Sequence, residues 1–301
     1  MLRRIACVHV TFESLFKKNT RKQYPDLSKR CLIWFITMIC AGQIALVQAQ
    51  KIKGSDTCLP LIQREIEEYL KKNPSAGISI TGGGSGVGIA GLRDRSTDIA
   101  MLSRKVSIEE RYVLRNSGID VSEVVVAYDA LAVIVHPSNP VSQLTRQQVE
   151  DIYCGRITNW SQLGGQDLKI IVYSREASSG THEFFKEVML KNKDFASGIL
   201  NLPASGSIMQ SVSKTPGAIA YIGLAYLNSA KIKAVSLSLD GITYINPSNT
   251  NFSTNTYPVV RPLYLCYDEK RKEKVLPFIH FVLSEEGQKI VQQTGYIQAG
   301  K

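Results

Sequence analysis

Along most of this chain, short apolar runs with strand character alternate with amphipathic helical runs, and that alternation restricts the fold more than any other feature. Strands are predicted at Ile78–Thr81, Asp98–Leu102, Val124–Tyr128 and Ala130–Val135, with Pro137 and Pro140 closing the last. Apolar spacing from Leu61 to Leu70 predicts a helix, with Pro60 in its first turn and Lys71–Pro74 at its end. Val87–Leu92 reads as helix, and Ser107 with Glu109 and Glu110 opens another. The pattern then restarts. Thr145 begins a helix through Ile152, Lys169–Tyr173 is a strand, Thr181–Leu190 a helix and Ala218–Ile222 a strand. Leu263–Tyr267 is a last strand before helices at Lys274–Leu283 and Glu285–Gln293. The expected class is α/β with largely parallel sheets, and two such clusters suggest two lobes.

Charge argues against nucleic acid as a partner. The 301 residues carry a formal +10 at pH 7, but residues 1–49 alone hold +6 of it. That segment looks like an address. Lys29 and Arg30 precede Cys31–Val47, a run without a charged residue, and Val47-Gln48-Ala49 has the small-x-small form of a cleavage site. Export with a mature start near Gln50 is the expectation, and a membrane anchor is the alternative. After cleavage Cys58, Cys154 and Cys266 remain, an odd number without CxxC spacing. His9, His136, His182 and His280 are scattered singly, so no metal site and no cofactor are expected.

Three helix starts share one chemistry. Gly54-Ser55-Asp56-Thr57, Gly82-Gly83-Gly84-Ser85-Gly86 and Arg175-Glu176-Ala177-Ser178-Ser179-Gly180-Thr181 each put glycine and hydroxyls where backbone N–H groups lack internal partners. Any one of them could be a plain helix cap. Together, with Arg175 in line, they suit an oxyanion. The ordinary role for Arg175 would be an ion pair with Glu176 or Glu183.

Two enzyme motifs fail on context. Gly86-Val87-Gly88-Ile89-Ala90-Gly91 matches GxGxxG, but Gly82–Ser85 intervene after the strand and Val106 or Ser107 stands where a ribose-binding acid belongs. Gly83-Gly84-Ser85-Gly86-Val87 lacks the last glycine of a nucleophile elbow.

The segments GSDT, GGGSGVGIAGL, DIAMLSR, IYCGRITNWSQLGGQDLKI, SREASSGTHEFF, GAIAYIGLAYL and YPVVRPLYL, in this order over roughly 52–295, resemble the periplasmic phosphate-binding proteins of bacterial phosphate ABC transporters. The resemblance implies a two-lobe type II "Venus flytrap" fold with two crossing hinge strands, near Tyr128–Val133 and Asn255–Arg261. It implies lobe one at 52–129 plus 257–301 and lobe two at 130–256. It also implies a monomeric, non-enzymatic protein of the periplasm that captures inorganic phosphate and delivers it to an inner-membrane permease. Carried over by residue, Thr57, the Cys58 backbone N–H, Ser85, Arg175, Ser179, Gly180 and Thr181 would bind phosphate, with Asp56, Ser103 and Arg104 as possible additions. Arg104 departs from the family, which places a proton-accepting carboxylate there. Asp56 is the candidate replacement, with a cap as its ordinary role, and Asp98 and Asp129 are weaker candidates. The same fold takes sulfate or molybdate in related proteins. A periplasmic phosphate-processing enzyme is the alternative of another class.

Overall fold

The computed structural model describes residues 49–227, 231–248 and 256–300. The expected signal segment and cleavage site, Cys31 and Cys40 lie outside these residues, apart from Ala49 at the edge, as does Asn255 at the start of the second expected crossing segment. No helix among the described residues is long and apolar enough to cross a membrane.

The first half of the fold runs β1 (Gln50–Gly54), α1 (Leu59–Lys72), β2 (Ile78–Thr81), α2 (Ser85–Arg93), β3 (Ile99–Leu102) and α3 (Ile108–Asn116). Strand β4 (Val121–Val135) leads into the second half. That half comprises β5 (Gln143–Thr145), α4 (Arg146–Tyr153), β6 (Ile171–Arg175), α5 (Gly180–Leu190), β7 (Leu200–Leu202), α6 (Ser205–Val212), β8 (Ala218–Gly223), β9 (Lys233–Ala234) and β10 (Ser236–Ser238). Strand β11 (Val260–Asp268) returns to the first half, followed by α7 (Lys272–Leu283), α8 (Glu285–Gln293) and β12 (Ile297–Gln298).

The strands follow the order β2-β1-β3-β11-β4-β8-β6-β7. The outer ladders are parallel: β1 with β2 and β3, and β6 with β7 and β8. The expectation of largely parallel sheets fails in the middle, where β11 runs antiparallel to β3 and β4, and β4 antiparallel to β8. The reason is connectivity, because the chain leaves the first half along β4 and comes back along β11.

Two readings of single strands also change. The two strands expected around Asp129 are one continuous strand, β4, which pairs with β11 up to Ala130 and with β8 from Leu131. A carboxylate inside such a strand is costly unless paired, and in β11 Arg261 stands directly opposite Asp129. Strand β1 carries only one large apolar residue, Ile52, between lysines, so it gives little periodic signal. It forms because β2 and β3 offer edges on both its sides.

Each half buries both faces of its sheet. Along β3, Ile99 and Met101 join Leu61, Ile62, Leu265 and Phe278 on one face, while Ala100 and Leu102 join Ile89, Leu92 and Leu114 on the other. Along β8, Ile219 and Tyr221 pack with Phe185, Tyr153 and Trp160, and Ala218, Ala220 and Ile222 with Ile208 and Val212. Period-2 side chains with both faces covered explain why these strands are uniformly apolar. Helices α3 and α4 start at full capping boxes, Ser107 with Glu110 and Thr145 with Gln148.

Candidate functional site

The glycine and hydroxyl segments converge from both halves. Thr57, just before α1, and Thr181, in the first turn of α5, place their hydroxyls 2.9 Å apart. Ser85 opens α2; its Oγ accepts the Ser103 backbone N–H at 3.1 Å and lies 3.4 Å from Ser103 Oγ. Ser55 donates to Ser103 Oγ at 3.0 Å and accepts the Thr57 N–H at 3.2 Å. Ser179 caps α5, its Oγ accepting the Thr181 N–H at 3.2 Å. All these hydroxyls are buried, at 0–3% exposure.

Glycine is required where the halves touch. A Cβ on Gly180 would lie 2.3 Å from Ser85 Oγ and 2.8 Å from Ser103 Oγ. Gly84 combines φ +99° with a virtual Cβ 2.6 Å from Ser178 O, and the neighbouring Gly86 N–H donates to that same carbonyl at 3.0 Å.

Two buried guanidiniums sit within this cluster. Arg175, at the end of β6, donates from Nη1 to Ser205 Oγ at 3.0 Å and from Nη2 to Asp56 Oδ2 at 2.7 Å and Pro203 O at 2.6 Å. Its Nε has no hydrogen-bond partner among the described residues. Tyr221 supports this strand end, its hydroxyl 2.7 Å from Ser174 Oγ. Burial pushes that phenol up to about 12, so it stays neutral. Arg261, from β11, donates from Nη2 to Asp129 Oδ2 at 2.9 Å, Thr181 Oγ1 at 3.0 Å and Thr57 Oγ1 at 3.3 Å. Its Nη1 has no partner among the described residues. The guanidinium carbon lies 5.3 Å from the centre of the Phe184 ring. Burial raises the Asp129 carboxyl, against the opposing pull of Arg261.

The expected residues therefore divide. Thr57, Ser85, Ser103, Ser179, Gly180 and Thr181 come together, and Arg175 joins them through Asp56. The Cys58 N–H donates to Ser55 O at 3.0 Å within the turn before α1, and its thiol faces Leu102 O. Burial pushes the thiol up to about 12, so it is inert as well. Arg104 stands in a two-pronged pair with Glu110 at 2.7 Å and an ion pair with Glu183 at 2.5 Å. Asp56 is engaged on both oxygens, by Arg175 and by the Gly83 N–H at 3.1 Å. Asp98 is paired instead with Arg271 and Lys274.

Sequence reasoning missed Arg261, Ser55 and Ser205. Arg261 was read only as the end of a crossing segment, since no glycine or hydroxyl motif surrounds it. The one available signal was a lone arginine followed by a uniformly apolar strand.

Chemically the cluster is rich in donors, and its two carboxylates, Asp56 and Asp129, are paired with its guanidiniums. Neither Ser85 nor Thr181 has a histidine among its hydrogen-bond partners, and the described residues contain no grouping of His, Cys, Asp and Glu fit for a metal. Buried hydroxyls and guanidiniums gathered between two α/β halves suit the capture of an anion. Fold and site together define a two-lobe ligand-binding protein.

The chain belongs to the PBP superfamily, whose domain model matches residues 44–286. It is 33% identical over 262 residues to the phosphate-binding protein PstS of Pseudomonas aeruginosa, covering 81% of each chain. Among solved structures, a candidate phosphate ABC transporter substrate-binding protein from Clostridium perfringens, with bound phosphate, shares 36% identity at a TM-score of 0.76, over 84% of this chain and 100% of that one. An ABC-type phosphate transport receptor from Vibrio cholerae shares 32% at 0.66, over 83% and 99%.

Proposed function

We propose that this protein captures inorganic phosphate between its two lobes and delivers it to the permease of an ABC transporter, without chemistry of its own. The observation that carries the reading is the meeting of Thr57, Ser85, Ser103, Ser179 and Thr181 around buried guanidiniums, with Gly180 at the contact. The names of its relatives point to the same anion. Phosphate-binding roles for Thr57, Ser85, Arg175, Ser179, Gly180 and Thr181 follow, with Ser103 added. Lobe one comprises residues 52–129 with 257–301, and lobe two residues 130–256. The lobes close about the two strands that connect them, as a rigid-body motion around the ligand. The protein acts as an exported monomer, its first 49 residues serving as the signal.

Calorimetric titration of the mature, anion-stripped protein with phosphate, arsenate, sulfate and molybdate tests this. Tight binding of phosphate and arsenate is expected. Preference for sulfate or molybdate would reassign the ligand, and no binding of any of them would overturn the reading.

A further inference from the structure

Arg261 was not among the residues carried over as ligands. It is 1% exposed, yet Nη1 lacks a hydrogen-bond partner among the described residues. A buried donor left unmade is expensive, and more so on a charged group. The rest of the guanidinium is held rigidly. Asp129 Oδ2 receives both Nε, at 3.3 Å, and Nη2, at 2.9 Å. Asp129 is itself fixed, since its Oδ1 accepts the Leu224 N–H at 3.0 Å. Nη2 also reaches Thr57 Oγ1 and Thr181 Oγ1, hydroxyls that arrive from opposite halves of the fold. The nitrogen without a partner thus belongs to a fork oriented by a carboxylate and set where the hydroxyls converge.

Arg175 is engaged differently. Asp56, Ser205 and Pro203 occupy both of its terminal nitrogens, and only Nε lacks a partner. Asp56 and Arg175 also come from opposite halves, so their pairing works as a bridge between the halves. Arg261 and Asp129, by contrast, stand opposite one another on β11 and β4, the two strands shared by both halves.

We propose that Arg261 is a second cation that contacts the bound oxyanion, through Nη1, and that Asp129 is the positioning residue that aims it. This inference rests on the phosphate-binding reading. Because each guanidinium has a carboxylate partner, the site offers directed donors with little net charge, which is how it can desolvate a multiply charged anion without itself burying an unbalanced charge.

The test is phosphate calorimetry on wild type, Arg261→Lys and the double variant Arg261→Gln with Asp129→Asn, each checked by circular dichroism. The double variant removes both charges, so no lone carboxylate is left buried. At least about a 30-fold loss of affinity is expected for it, the lower range for a buried charged contact, with a loss also in Arg261→Lys, which keeps the charge but not the fork. Wild-type affinity in a folded double variant overturns the proposal alone, whereas a wild type that binds no phosphate overturns the functional reading with it. A crystal structure of the wild-type protein with phosphate decides independently of any variant's folding. An anion oxygen within hydrogen-bond distance of Arg261 Nη1 is expected, and an anion held by Arg175 with that nitrogen turned away refutes the assignment.

Discussion

Arg175 and Asp56 are one unit at the residue scale. Removing one member of a buried, hydrogen-bonded charge pair costs about 2–5 kcal/mol, much of it from stranding the other. Arg175→Ala is therefore expected to weaken phosphate binding by roughly 30-fold or more while circular dichroism stays native. Arg175→Lys is expected to recover little, because a point charge cannot serve Asp56, Ser205 and Pro203 together. Asp56→Asn tests the other end. A loss above about 1.5 kcal/mol, with a narrower phosphate-to-sulfate ratio, would give Asp56 a part in selectivity, and unchanged titrations for both anions would reduce it to a support for the glycine loop. Glu65 is a residue of another kind. It lies on α1, is 0% exposed, and neither carboxyl oxygen has a hydrogen-bond partner. Burial, with a smaller push from Glu286, raises its pKa from the ordinary 4.5 to about 9. The native state thus holds a proton that the unfolded chain has released, and stability falls as pH rises from about 4.5 to about 9. Glu65→Leu is expected to gain stability over wild type at pH 8 relative to pH 5, by at least about 1.4 kcal/mol, one pKa unit's worth. Urea denaturation at the two pH values measures it, and parallel pH profiles would contradict it.

Elements explain where the sequence was legible. Capping residues Ser107 and Thr145 marked their helix starts correctly because a capping box is local chemistry, complete within four residues. Helix α6 went unread, since Ser205–Val212 carries a weak apolar pattern and no cap hydrogen bond. Its start nevertheless supplies Ser205 to Arg175. The glycine and hydroxyl segments were legible as helix starts, but that the starts of α2 and α5 meet was not. Gly180→Ala probes that meeting. Alanine favours helix over glycine, yet its Cβ would fall within 2.8 Å of two buried hydroxyl oxygens. An overpacking cost of about 1–3 kcal/mol is expected to fall on closure, so phosphate affinity drops about tenfold while secondary structure is retained. Unchanged affinity in titration would mean that α2 and α5 do not approach this closely when the ligand is bound.

At the scale of the whole molecule, contacts between the halves differ in worth. Arg104 joins Glu183 of α5 to Glu110 of α3, but Glu183 is 43% exposed. Exposed pairs contribute about 0–1 kcal/mol and are screened by salt. Arg104→Ala is therefore expected to change phosphate affinity less than about fivefold, and less still in high salt. A larger, salt-insensitive loss would make Arg104 a ligand contact after all.

Taken alone, the sequence determined the α/β class, most strand and helix positions, and the glycine and hydroxyl chemistry of three helix starts. Those properties depend on periodicity, glycine and hydroxyls within a few neighbouring residues. It did not reveal that β4 is one strand through Asp129, because the charge that makes it tolerable comes from Arg261, 132 positions away. Nor did it show Arg261 beside Thr57 and Thr181, the Cys58 N–H held by Ser55, or Arg104 paired with Glu110 and Glu183. Each of those outcomes depends on which partner a group meets in the fold, and burial decides the matter there: a donor or charge removed from water must take the partner that the packed sheet and helix ends bring within reach.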